Sequence, residues 1–193
     1  MRLRRYVVLG AAAGLAWSGA LRGWMVLLVG ADASVVSWRT PVLVLLPGAA
    51  VGGLLGWGAG LRAAGRRPPR VLVLAPGLFA VALLDPEIAR SLVTDGQGSG
   101  ALVVVVTAVA GGHALSRHEW SRTRVASATV AGLGVATMTG MGTMAGPPSS
   151  SRGAAAAALG GSLMALLCVA STQAHPADVV QPARPGRPDG MRS

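Results

Sequence analysis

Residues 41–61 read PVLVLLPGAAVGGLLGWGAGL, an apolar run that is rich in glycine and contains no charged residue. A helix of this length, rising about 1.5 Å per residue, crosses the roughly 30 Å hydrocarbon core of a bilayer. An isolated apolar segment in lipid can satisfy its backbone N–H and C=O groups only by forming a helix. Gly48, Gly52, Gly56 and Gly60 recur every four residues and therefore lie along one helix face, which we call the glycine ridge. The run predicts a transmembrane helix on which a neighbouring helix can pack closely.

Five further apolar runs surround this one, so the chain predicts an all-α, polytopic membrane protein. The six predicted spans are residues 6–29, 41–61, 71–84, 100–115, 125–145 and 153–170, within one transmembrane domain of residues 1–170. The third and fourth runs are shorter than the ~20 residues of a typical spanning α-helix. The composition agrees with a membrane protein, because 52% of the residues are hydrophobic and only 12% are charged, against about 25% charged in soluble domains.

The arginines test the six-span arrangement independently of hydropathy, because positive residues are retained on the cytoplasmic side. With the amino terminus inside, the inner segments carry Arg2, Arg4 and Arg5, then Arg62, Arg66, Arg67 and Arg70, then Arg117, Arg122 and Arg124, then Arg184, Arg187 and Arg192. The outer segments carry Arg39, Arg90 and Arg152. This alternation predicts both termini in the cytoplasm, and the abundance of amino acids with GC-rich codons indicates a bacterial plasma membrane. We attribute the net charge of +10 to arginines that set the orientation of the chain in the membrane, and we predict no nucleic-acid partner.

Three segments outside the spans have their own predicted character. Residues 171–193 form a Pro/Arg-rich tail that cannot bury enough apolar surface to fold, so we expect a disordered cytoplasmic tail, with contact to anionic lipid as an added role. Asp85-Pro86-Glu87 is typical of a helix start and predicts a short surface helix through Leu92. Ala31-Asp32-Ala33 resembles a signal-peptide cleavage site, the alternative to a retained first span.

Small residues mark the faces on which the helices would pack. Gly10 and Gly14, followed by Ser18, form a stripe on the first span that resembles the glycine ridge of the second. Close helix packing is the preferred interpretation of both. A glycine-lined passage or a homodimer seam remains an alternative, because either would have the same sequence pattern.

Arg22 is the one charged residue within the predicted spans that we single out as a candidate functional charge. It lies between Trp17 and Trp24 near the predicted outer boundary. There its side chain could extend to the headgroups while the indoles join an interfacial belt. The alternatives are a buried pair with Asp32 or Asp85, or a site that faces an anion.

No residue set predicts a metal, a cofactor or an enzyme. Met138, Met141 and Met144 recur every three residues and could bind Cu(I) with Cys168 and His113, but methionine beside glycine more often fills gaps in packing. His113, His118 and Glu119 could form a proton relay at the inner end of the fourth span. No zinc-protease, nucleophile-elbow or phosphate-loop motif occurs in the chain.

A resemblance to a known group is carried by the first half of the chain. Residues 14–25, GLAWSGALRGWM, followed by Ser37-Trp38 and by Leu45-Leu46-Pro47-Gly48, resemble small multi-pass membrane proteins of actinobacteria that have no assigned activity. Those proteins often have a second basic residue after the Trp-Met pair, where this chain has Val26. The resemblance implies a membrane location and no particular chemistry.

The sequence therefore predicts an integral membrane protein with a structural or accessory role, which packs through its glycine-rich helix faces. Its expected partners are the lipid bilayer and either a second copy of the chain or another membrane protein. The alternative is a small transporter or channel subunit, in which the glycine ridge and a third span broken at Pro76-Gly77 frame a polar path.

Overall fold

The computed structural model describes residues 2–30, 41–84, 99–116 and 121–175, and over these ranges the fold is all-helical. The all-α class is thereby confirmed. We number six helices in chain order: α1 (Arg2–Val29), α2 (Leu46–Ala63), α3 (Arg70–Leu84), α4 (Ser99–Ser116), α5 (Arg122–Gly140) and α6 (Ser151–Ser171). One π-helical turn, Pro41–Leu45, precedes α2, and 3₁₀ turns extend α5 over Met141–Ala145 and α6 over Thr172–Ala174.

Successive helices run in opposite directions, as the contacts between them show. Gly10 of α1 packs on Gly56 near the end of α2, whereas Ser18 packs on Gly48 near its start. Thr107 of α4 packs on Gly134 of α5, while the Arg124 side chain at the start of α5 reaches the Ala114 carbonyl at the end of α4. One end of the bundle therefore holds the starts of α1, α3 and α5 and the ends of α2, α4 and α6.

That end carries most of the described arginines, and we call it the arginine-rich end. Its arginines are Arg2, Arg4, Arg5, Arg62, Arg66, Arg67, Arg70, Arg122 and Arg124. The opposite end has Arg152 at the start of α6, and Arg22 lies in the second half of α1. The positive charges of the described residues are thus concentrated at one end of the bundle axis.

Two apolar clusters form the core of the described residues. The larger one joins α1, α4, α5 and α6 around Trp24, Met138 and Met164. The smaller one joins α2 and α3 to the turn after α6 through Val51, Leu72 and Ala174. Phe79 of α3 contacts both clusters, and its ring lies 5.2 Å from that of Trp17.

Helix α3 has 3₁₀ geometry over all 15 of its residues. In a 3₁₀ helix side chains three residues apart eclipse one another, and the burial pattern has this period. Leu72 and Ala75 are buried, whereas Val71 and Leu74 are 69% and 66% exposed. Pro76 lies inside this continuous helix, so the break predicted at Pro76-Gly77 is not present.

Within the ranges that the structure describes, three helical runs are long and apolar enough to cross a membrane: Arg2–Val29, Arg122–Ala145 and Ser151–Ala174. Shorter apolar helices cover Arg70–Val81 and Gly100–Ser116. The observed helices coincide with the six predicted runs to within a few residues at each end, which supports the positions of the runs but leaves the number of membrane crossings as a prediction.

The carboxyl-terminal boundary differs from the prediction. The tail was expected to begin at Ser171, yet α6 continues through this residue, a 3₁₀ turn follows, and Ala174 and His175 are buried. These residues are held because α2 and α4 pack around them. The remainder of the predicted tail, the predicted surface helix at residues 85–92 and the Ala31-Asp32-Ala33 sequence lie outside the described residues.

Candidate functional site

The glycine ridge of α2 packs against the small-residue stripe of α1 within the same chain. A Cβ atom added at Gly52 would lie 2.8 Å from the Gly14 Cα, and one added at Gly56 would lie 3.1 Å from the Gly10 Cα. At the two ends of this contact, Gly48 faces Ser18 and Gly60 faces Leu3 and Tyr6. The two backbones therefore approach so closely that no side chain fits between them.

This contact bears on the two alternatives to close packing, a glycine-lined passage and a homodimer seam. A passage along it would require α1 and α2 to separate, and a homodimer seam on it would require α1 to leave. A polar side-chain atom also lies in the contact: the Ser18 side chain is fully buried, and its Oγ has no hydrogen-bond partner within the described part of the chain.

The two tryptophans beside Arg22 point into the bundle rather than to an interfacial belt. Trp24 is only 1% exposed, and its Nε1 donates to the Ala156 carbonyl at 2.7 Å. The Trp17 Nε1 donates to the Leu163 carbonyl at 2.8 Å. The interfacial position expected for Trp24 is therefore wrong, because α6 offers a glycine, Gly160, that leaves room for the indole.

Arg22 itself is half-buried in α1 and lies between the two tryptophans in the sequence. The two acids that we considered as its partners, Asp32 and Asp85, lie outside the described residues. Its predicted role as a functional charge therefore stays a prediction.

Three other arginines bind carbonyl groups at the carboxyl-terminal ends of neighbouring helices, where C=O groups lack some of the partners that a longer helix would supply. The Arg62 Nη1 donates to the Thr172 carbonyl at 2.7 Å, and the Arg124 Nε donates to the Ala114 carbonyl at 3.1 Å. At the opposite end, the Arg152 Nη2 donates to the Leu27 carbonyl at 2.8 Å. Each guanidinium also offsets the negative end of a helix dipole. Arg152, one of the three arginines predicted in the outer segments, thus has a structural contact.

The methionines of α5 do not converge on one site. Met138 is buried in the larger core cluster, Met141 packs against that cluster, and Met144 is 65% exposed. Cys168 is buried against Gly111 and donates its S–H to the Thr107 carbonyl. The copper-binding alternative requires the three methionines to share one surface, whereas Met138 is buried and Met144 is exposed.

An open groove lies towards the arginine-rich end of the described residues. It encloses about 550 Å³, and its apolar lining consists of Val73 of α3 and Val105, Val106, Val109 and Ala110 of α4. Its polar lining consists of His113 of α4, Ser127 of α5 and His175 beyond α6. We call this surface the histidine groove.

The two imidazoles of the histidine groove meet edge to face, with ring centroids 5.8 Å apart. Gly112 allows this approach, because a Cβ there would lie 3.0 Å from the His175 Nε2. His113 was a predicted relay member, but its other predicted members, His118 and Glu119, lie outside the described residues.

His175 was missed because it was assigned to the tail. A signal was present, since Cys168, Ser171 and His175 follow the three- and four-residue spacing of a buried helix face.

Comparison with known proteins gives no match: no family model, no curated protein and no solved structure is significantly similar to this chain. The resemblance to actinobacterial membrane proteins stays a prediction.

Proposed function

We propose that this chain is an integral protein of the bacterial plasma membrane, with six crossing helices, both termini in the cytoplasm and a structural or accessory role. The observation that carries the proposal is the combination of outward-facing apolar side chains along the helices with the location of most described arginines at one end. Leu9, Leu46, Leu133 and Leu166 are each more than 60% exposed. Such a surface is stable in lipid and unfavourable in water, and the arginine-rich end matches the cytoplasmic side.

The 3₁₀ geometry of α3 supports its crossing. Fifteen residues of α-helix would extend only about 22 Å, whereas a 3₁₀ helix rises about 2.0 Å per residue and extends about 30 Å. That length equals the hydrocarbon thickness of a typical bilayer. The 18 residues of α4 extend about 27 Å, which a bilayer accommodates with little thinning.

The accessory role rests on outward-facing small residues that no helix of the described ranges covers. On α1 these are Ala12, Ala16, Gly19 and Gly23, and on α5 they are Ala128, Gly132, Ala136 and Gly140. A Cβ added at Gly19, Gly23, Gly132 or Gly140 would meet no atom within 4 Å. Both sets recur at three- or four-residue spacing, as in the α1–α2 contact. We assign them to pairing with a second copy of this chain, which presents matching faces on two helices.

A transport function has less support. The glycine ridge is covered by α1, and α3 is continuous through Pro76. Neither of the two features that would frame a polar path therefore has the form that such a path requires.

Reporter fusions test the topology. A reporter active only in the cytoplasm, fused after Gly65 in the loop between α2 and α3, should be active. The same reporter fused after Gly98, before α4, should be silent. Equal activity of the two fusions, or recovery of the protein without detergent, would refute the membrane proposal.

Paired substitution tests the accessory role. The double variant Gly19→Leu/Gly23→Leu should remove a dimer of the detergent-purified protein from light scattering and cross-linking, with the fold retained because both sites are open. Ala158→Leu, at an exposed position on α6, is the control and should leave the dimer intact. A wild-type protein that is monomeric at every concentration would contradict the pairing.

A further inference from the structure

We propose that the histidine groove binds one acyl chain of an anionic phospholipid from the cytoplasmic leaflet, with the phosphate held at the arginine-rich end. The inference rests on the proposed membrane location and adds a ligand to it.

The lining of the groove changes from apolar to polar along α4, as an oriented amphiphile requires. Val105 and Val106 lie near the middle of α4, and His113 lies about two turns nearer the arginine-rich end. From Val105 to His113 the helix rises about 12 Å, most of the ~15 Å that one leaflet contributes to the hydrocarbon core. An acyl chain along the valines therefore places its headgroup beside His113, Ser127 and His175.

Two arginines lie one helical turn from residues that line the groove. Arg70 precedes the groove residue Val73 by three positions, and in the 3₁₀ helix α3 such residues eclipse one another. Arg124 precedes the groove residue Ser127 by three positions and lies on the same face of α5.

The charge at this end favours an anion over a cation. The carbonyl ends of α4 and α6, which would attract a cation, are already bound by Arg124 and Arg62. None of the seven acidic residues of the chain belongs to the described part of this end. Basic pockets between helices on the cytoplasmic side recognise lipid phosphates, and the histidine N–H and serine O–H groups add hydrogen-bond donors.

The test measures lipid retention by native mass spectrometry after exchange of the detergent-purified protein into mixed micelles of phosphatidylglycerol or phosphatidylcholine. The wild type should retain phosphatidylglycerol preferentially. Arg70→Gln should lower this retention about fivefold, whereas Arg67→Gln, an equal loss of charge in the preceding loop, should change it much less. Equal effects of the two variants, or equal retention of both lipids, would overturn the proposal.

Filling the groove tests the acyl-chain part. Val106 is 53% exposed, so Val106→Trp should fold and should reduce phosphatidylglycerol retention to that of phosphatidylcholine. Leu133→Trp, at a 64% exposed site on α5, is the matched control and should retain lipid as the wild type does. Unchanged retention by a folded Val106→Trp would refute the proposal.

A ligand without acyl chains distinguishes binding of a lipid from binding of a phosphate group alone. Glycerol 3-phosphate should not raise the Tm of the protein. A rise in Tm equal to the rise with phosphatidylglycerol would overturn the lipid assignment. The reporter fusions measure sidedness in cells and are independent of lipid retention, so each proposal can fail without the other.

Discussion

The indole Nε1 of Trp24 donates a 2.7 Å hydrogen bond to the backbone carbonyl of Ala156. Both residues are almost fully buried, and the bond joins the first helix of the bundle to the last. One turn along α6, Gly160 leaves space for the indole, since a Cβ there would lie 2.8 Å from the Trp24 Cε2. The bundle is therefore closed by a specific contact between helices that are far apart in sequence.

Replacing Trp24 by Phe should destabilise the protein by about 2 kcal/mol, because the variant loses the interhelical hydrogen bond and leaves a small cavity. Thermal unfolding in detergent, followed by circular dichroism, would measure the change. Trp57→Phe is the control: Trp57 packs at the edge of the smaller cluster and should lose less. Equal losses in the two variants would mean that the Ala156 contact contributes nothing specific.

Gly52→Ala should destabilise the protein by about 1–3 kcal/mol, because the added methyl group meets the backbone of α1 rather than a side chain that could move. Gly100→Ala, at a site on α4 where the added Cβ meets no atom within 4 Å, should instead be neutral or stabilise by up to about 1 kcal/mol through helix propensity. Since the ridge packs within one chain, the loss at Gly52 should not depend on protein concentration. A concentration-dependent loss would indicate a ridge between chains.

Ser18→Ala should stabilise the protein by about 1 kcal/mol, because it removes a buried hydroxyl that has no partner within the described residues. Ser171 gives the matched comparison. It is equally buried, but its Oγ donates to the Leu167 carbonyl at 2.8 Å, so Ser171→Ala should be neutral or destabilising. Chemical denaturation of both variants would decide, and a loss of stability in Ser18→Ala would show that the Ser18 hydroxyl has a stabilising partner.

Arg62→Gln should destabilise the carboxyl-terminal turn by about 1.5–3 kcal/mol, the usual contribution of a hydrogen bond to a charged group. Its guanidinium holds the Thr172 carbonyl, so hydrogen exchange of residues 172–175 should increase. Arg66→Gln removes the same charge from an exposed site four residues on and should leave that exchange unchanged. Similar exchange in the two variants would refute the capping role of Arg62.

The positions of the helices could be predicted from the sequence because the signals are local. An apolar run in lipid has no alternative to a helix, and the run at residues 100–115 accordingly appears as α4, Ser99–Ser116. Glycines at four-residue spacing identify a close-packing face without reference to the rest of the chain.

The relations between helices could not be predicted in the same way. Trp24 was expected at an interface because tryptophan is amphipathic, and only the gap at Gly160 explains its burial. The 3₁₀ winding of α3 was not predicted either, because Val, Leu and Ala are compatible with both helix types.

His175 was assigned to the tail because the prolines that follow it indicate disorder. Its burial depends on Gly112 and on the Arg62 contact to the preceding turn, and neither is near His175 in the sequence.

The sequence by itself determined the helical class, the extents of the helices and the separation of arginines along the axis, because backbone hydrogen bonding in apolar segments and the distribution of charge are properties of short stretches. Only the tertiary structure decided that the glycine ridge of α2 packs against α1, that Trp24 joins α1 to α6 and that His113 and His175 line the same groove. Those outcomes depend on which surfaces fit together within a few tenths of an ångström, and side-chain spacing along one helix carries no information about the shape of another.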